Sequence, residues 1–265
     1  MAEASDRNED YILEIEGISK RFGEVVALED VTFRLRRNEV LALAGDNGAG
    51  KSTLIKCVAG AIEPTSGIIT VDGEVVEIGN PRIAKELGIE TTFQDLAVAG
   101  NLTVTQNIFL GREEVTGMDS LLGILNKSAM KKRAQELLDD LKIDVDVDAK
   151  VSNLSGGERQ LVSISRTMLS DPKIVIMDEP TSALSVEGAD RVLELIERMQ
   201  DQGISIILIS HNLEYVQQAA DRIHVLHQGR SAGVIDNADA DRDEIVKRMI
   251  GGMPDEERSE QPANA

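Results

Sequence analysis

Val40 to Thr53 reads VLALAGDNGAGKST, and the fold is decided there. Its first five residues are an unbroken aliphatic run, the pattern of a strand buried on both faces of a parallel sheet. A glycine-rich turn follows, and then a helix-like stretch, KSTLIKCVAG, from Lys51. Gly45 to Ser52 matches G-x-x-x-x-G-K-[ST] in the strand, loop and helix setting that this motif requires. Gly45, Gly48 and Gly50 let consecutive N–H groups turn inward around phosphate oxygens, with Asp46, Asn47 and Ala49 between them. The new helix through Thr53 adds its positive end. Lys51 is placed to reach β- and γ-phosphates, and the Ser52 hydroxyl to ligate Mg²⁺ that neutralises their shared charge. The competing reading is a glycine-rich turn that binds nothing.

Downstream, IVIMDEP (Ile174 to Pro180) delivers two carboxylates to the end of a buried strand, where ligands gather in α/β sheets. Asp178 is the candidate to hold Mg²⁺ through its water shell, and Glu179 to orient or deprotonate an attacking water. KIVIM and SIILI flank a helix with apolar Val192, Leu195, Ile196 and Met199, which makes a βαβ unit. Upstream, ILEIEGISKRFG and VVALEDVTFRL alternate like antiparallel strands around a glycine turn. Met130, Ala134, Leu137, Leu138 and Leu141 mark an amphipathic helix, part of a helical subdomain expected over about 95–165. Residues 1–10 and the acidic tail 251–265 have the composition of disordered ends, leaving one domain over 11–250.

Composition narrows the function. The 265 residues carry 28 Lys and Arg against 47 Asp and Glu, a net charge of −19, which excludes general affinity for nucleic-acid phosphates. The acids are spread along the chain, which suits a surface adapted to high salt, where the Debye length shrinks to about 3 Å. An ordinary acidic protein is the alternative. Cys57 is the only cysteine, so no internal disulfide forms and a reducing compartment fits. MAEASDRNED lacks the basic and apolar regions of a signal peptide. No apolar run reaches about 18 residues, so no membrane span is expected.

The order of these motifs, with LSGGERQ (Leu154 to Gln160) before the second carboxylate strand and a His after SIILIS, resembles the ATP-binding cassette (ABC) family. The resemblance covers nearly the whole chain. It implies an α/β fold: a P-loop NTPase core with a mainly parallel sheet, an antiparallel β subdomain and an α-helical subdomain. It also implies ATP and Mg²⁺ as the bound species. Ser155, Gly156 and Gly157 would cap the γ-phosphate of ATP held by a second copy, so that two nucleotides are sandwiched in a homodimer. Gln94 resembles the glutamine that senses Mg²⁺ and the attacking water, and His211 the switch histidine that contacts the γ-phosphate and helps position Glu179. Phe22 resembles the aromatic that stacks on adenine. As bare residues these read differently: SGG as a helix cap, Gln94 as a surface amide, His211 as a structural histidine and Phe22 as a core aromatic. Glu158 stands where glutamine is commoner, with Arg159 beside it to offset the charge. Ser185 stands where many cassettes have aspartate.

Within the family, Gly88 to Glu113 (GIETTFQDLAVAGNLTVTQNIFLGRE) resembles the monosaccharide-uptake cassettes for ribose, xylose and fructose. That implies an ATP-hydrolysing importer subunit, peripheral on the cytoplasmic face of the membrane. Its partners would be membrane permease subunits and, through them, an extracytoplasmic sugar-binding protein. The alternatives are a branched-chain amino acid or other small-solute importer, and a soluble regulatory ATPase of the same family.

Overall fold

The computed structural model describes residues 10–92, 98–115 and 125–251. Two long strands, β1 (Tyr11–Phe22) and β2 (Val25–Arg36), form an antiparallel hairpin. After β3 (Val40–Ala44) and α1 (Lys51–Val58), β4 (Ser66–Val71) and β5 (Glu74–Val76) join that hairpin in the order β2-β1-β4-β5. The rest of the chain runs through α2 (Pro81–Glu86), β6 (Ile89–Thr92), α3 (Val104–Ile108), α4 (Lys127–Asp140), α5 (Gly156–Ser165), β7 (Ile174–Asp178) and α6 (Val186–Asp201). It closes with β8 (Ser205–Ile209), α7 (Leu213–Ala219), β9 (Arg222–His227), β10 (Arg230–Asp236) and α8 (Arg242–Met249). The second sheet has the order β10-β9-β3-β8-β7-β6, parallel except for β10.

Strand periodicity explains the layering. Every residue of β3 is buried, but successive side chains point to opposite faces. Val40, Ala42 and Ala44 join Val175, Met177, Ile206 and Leu208 in one core, closed by Val192, Leu195, Ile196 and Met199 of α6. Leu41 and Leu43 join Ile174, Ile176, Ile207 and Ile209 in a second core, closed by Leu54, Ile55 and Val58 of α1 and by Leu13, Ile15 and Leu35 of the antiparallel sheet. Cys57 lies in this second core, and burial pushes its thiol up to about 11. It is packing, not a nucleophile. In α4, Met130, Ala134 and Leu138 face inward, as their spacing requires.

The antiparallel layer is stapled at its lower edge by Asp72, which takes both Arg37 and Lys173 and is held down to about 2 by those two cations. Asp10 is already ordered against this edge, its carbonyl accepting from the Arg37 N–H at 2.9 Å. Among the described residues no helix is long and apolar enough to cross a membrane. With a net charge of −19, repulsion between surface carboxylates grows as screening lengthens from about 3 Å at 1 M salt to about 10 Å at 0.1 M. The thermal midpoint is expected to fall on dilution between those concentrations; a level midpoint would contradict an adaptation to high salt.

Candidate functional site

The phosphate-binding loop leaves β3 and enters α1 under tight steric control. Gly45 has φ 153° and Gly50 has φ 102°. A Cβ on Gly45 would lie 2.4 Å from the Leu226 carbonyl oxygen, and one on Gly50 would lie 2.8 Å from Leu28 Cδ2 and 2.9 Å from the Ala27 oxygen. Only glycine fits at either place. α1 has neither a side-chain cap nor an acidic residue in its first turn, so its first N–H groups have no intrahelical partner and face the loop. Lys51 Nζ folds back onto the Gly45 and Asp46 carbonyls, the latter at 3.1 Å. Burial lowers its pKa below the ordinary lysine value, while Glu179, Asp46 and Asp178 act in the opposite sense.

Asp178 and Ile209 are register partners at the ends of β7 and β8, so the residues that follow each strand emerge on one edge. Burial, and then the neighbouring Glu179 carboxylate, push Asp178 above the usual carboxylate range, against Lys51 and Lys56. Glu179 adopts φ 52°. Its N–H donates to the Ile209 carbonyl at 2.9 Å, and its carbonyl accepts from the Ser182 N–H at 3.1 Å and the Ser182 hydroxyl at 2.9 Å. Its carboxylate meets His211 Nδ1 at 2.8 Å, with the Glu179 side chain 13% and the His211 side chain 71% exposed. Lys51, Ser52, Thr53, Asp178, Glu179 and His211 thus border one cavity of about 790 Å³. It offers backbone N–H donors and a lysine for anions, hard oxygen donors for a cation, and a carboxylate paired to a histidine for proton transfer.

Ser52 and Asp178 fit Mg²⁺ by donor chemistry: a hydroxyl and a carboxylate in reach of the same phosphate loop. No group of three His, Cys, Asp or Glu side chains suited to a metal occurs among the described residues. Mg²⁺ sites built on one or two protein oxygens plus substrate phosphates need no such group.

Other candidates lie elsewhere. Gln94 is outside the described residues. Phe22 is not a core aromatic: it is 51% exposed, with Lys20 Nζ 5.2 Å from its ring centre, and it does not line the cavity. Its cross-strand partner Val25 does, with Val26, Ala27 and Gln228. None of these four stood out in the sequence, although Val25 and Val26, 66% and 40% exposed, are apolar residues that a folded surface usually hides. Ser155, Gly156 and Gly157 are also away from the cavity. Ser155 caps α5, and Glu158 completes a capping box by accepting from the Ser155 N–H at 2.7 Å. Arg159 Nε reaches the Ser155 carbonyl at 3.4 Å, at the same helix start as Glu158, and Arg191 is a further cation acting on that carboxylate. Ser185 caps α6, accepting from the Gly188 N–H at 3.3 Å.

A parallel sheet with this loop at its carboxyl edge, facing two carboxylates, defines a P-loop nucleotide-binding protein. Residues 28–182 match the ABC transporter family, and the chain belongs to it. It is 44% identical to the xylose/arabinose import ATP-binding protein XylG of Sulfolobus acidocaldarius over 83% of this chain and 86% of that one. It is 41% identical to the fructose import ATP-binding protein FrcA of Rhizobium meliloti over 91% and 94%. With the ribose import ATP-binding protein RbsA 1 of Rubrobacter xylanophilus the identity is 42% over 93% of this chain, which spans only 48% of that relative. Among solved structures, a nucleotide-free ATP-binding cassette from an ABC transporter superposes with a TM-score of 0.77 at 27% identity, covering 91% of this chain and 99% of the other.

Proposed function

We propose that the chain is the ATP-hydrolysing subunit of an importer for a simple sugar, working as a homodimer beneath membrane permease subunits on the cytoplasmic face. The observation that carries this reading is the cavity in which Lys51, Ser52, Asp178, Glu179 and His211 converge, in a chain 44% and 41% identical to two sugar import ATP-binding proteins over most of its length.

In this reading the loop N–H groups and Lys51 cradle the β- and γ-phosphates, Lys51 leaving the carbonyls of Gly45 and Asp46 to do so. Ser52 and Asp178, with Gln94, hold Mg²⁺, which when bound neutralises charge between the phosphates. Glu179 takes the proton of the attacking water, and His211 orients the Glu179 carboxylate through Nδ1. Val25 and Val26, next to Phe22, offer apolar surface to the base. Ser155, Gly156 and Gly157 close on the nucleotide of the second copy. α3, α4 and α5 belong to a helical subdomain that meets the permease.

Affinity purification of the chain from gently solubilised membranes tests the partners. Co-purification of integral membrane permeases, with ATPase activity that needs Mg²⁺, is expected. Recovery of an ATPase with no membrane protein would favour a soluble regulatory role, and permeases for amino acids would move the substrate out of the sugars.

A further inference from the structure

Two N–H donors at the start of α5, those of Ser155 and Glu158, are engaged by the chain itself. Glu158 accepts from the Ser155 N–H at 2.7 Å, and its own N–H donates to Ser155 Oγ at 3.2 Å. The Ser155 backbone and hydroxyl, with Arg191 behind them, hold the Glu158 carboxyl below the usual glutamate range, so it is charged at neutral pH. An anion therefore already sits at the serine that the two-copy reading assigns to a nucleotide phosphate.

A second place for that carboxylate is built beside the first. Glu158 borders a cavity of about 280 Å³ together with Arg191, Arg198 and Lys142. Arg198 is occupied, donating to the Leu141 carbonyl at 3.1 Å and to Glu194 at 2.9 Å. Arg191, exposed on α6, forms no ion pair among the described residues. Two like charges at one serine repel, and a guanidinium bordering the same cavity offers the displaced carboxylate a partner.

We propose that Glu158 is an intramolecular competitor at Ser155: its carboxylate holds the Ser155 N–H in the free chain and passes to Arg191 when a second copy brings a nucleotide phosphate to α5. This rests on the homodimer proposed above. Glu158 is thus a positioning residue that sets how readily ATP closes the dimer. Glutamine at this position would still accept from the Ser155 N–H, so the cap survives while the charge is removed.

The test measures ATP-driven dimer dissociation constants by sedimentation, in a Glu179→Gln background that suppresses hydrolysis. Glu158→Gln is expected to tighten the dimer about tenfold. Arg191→Gln is expected to weaken it when Glu158 is present and to have no effect when combined with Glu158→Gln. Thermal midpoints of the free chains check that the cap is retained. Equal dimer constants for parent and Glu158→Gln would overturn the proposal, as would an Arg191→Gln effect that persists without the Glu158 charge. If no chain dimerises with ATP, the homodimer reading falls as well, a result distinct from dimers of equal strength.

Discussion

Glu179→Gln is expected to leave ATP binding intact and to slow hydrolysis by about 10²- to 10⁴-fold, the usual cost of losing a general base. The substitution is a clean one because the backbone of residue 179 is fixed by bonds the side chain does not make. Its N–H is held by the Ile209 carbonyl and its carbonyl by the Ser182 N–H and hydroxyl. An amide oxygen can accept from a protonated His211 Nδ1 as the carboxylate does, so the pairing at 2.8 Å survives in that tautomer. What is lost is the capacity to take a proton. Phosphate release at saturating ATP and Mg²⁺, alongside nucleotide binding, checks this; an unchanged turnover rate would remove Glu179 from the role of base.

Gly156→Asp is expected to abolish ATP-driven dimer closure, and with it most hydrolysis, while each chain still binds ATP in its own cavity. Ser155, Gly156 and Gly157 do not border that cavity, so in the proposed homodimer a carboxylate there would face the nucleotide of the opposite copy and spare binding in its own chain. Position 156 is a better place for it than 157. A Cβ on Gly157 would come within 3.1 Å of the Gly188 Cα, a tight approach between α5 and α6, whereas on Gly156 the nearest atom is Leu184 Cδ2 at 3.6 Å. Aspartate at the first position of a helix is favoured by the helix dipole, so loss of closure would not reflect unfolding.

The parallel core was legible because its strands are buried on both faces: VLALA, IVIMD and SIILI are nearly continuous aliphatic runs. The phosphate loop was legible because its glycines answer local sterics, as at Gly45 and Gly50. What escaped was tertiary. Val25, Val26 and Gln228 reach the cavity because β2 and the β9–β10 turn pack against the loop, where Ala49 accepts from the Gly229 N–H at 2.9 Å. Glu90, buried on β6, finds Arg112 at 2.6 Å and Ser170 at 2.8 Å, partners that no local spacing links. Arg191, a cation that acts on Glu158, is equally remote in sequence, because it comes from α6.

In the proposed importer, ATP closing two copies of this chain drives entry of a simple sugar. Its most direct test is uptake of labelled ribose, xylose and fructose by cells whose only copy of the chain carries Gly156→Asp, compared with the unaltered protein. Uptake of one of these sugars is expected to be lost while the purified variant still binds ATP. Uptake retained at the unaltered rate, or lost only for a solute that is not a sugar, would contradict it.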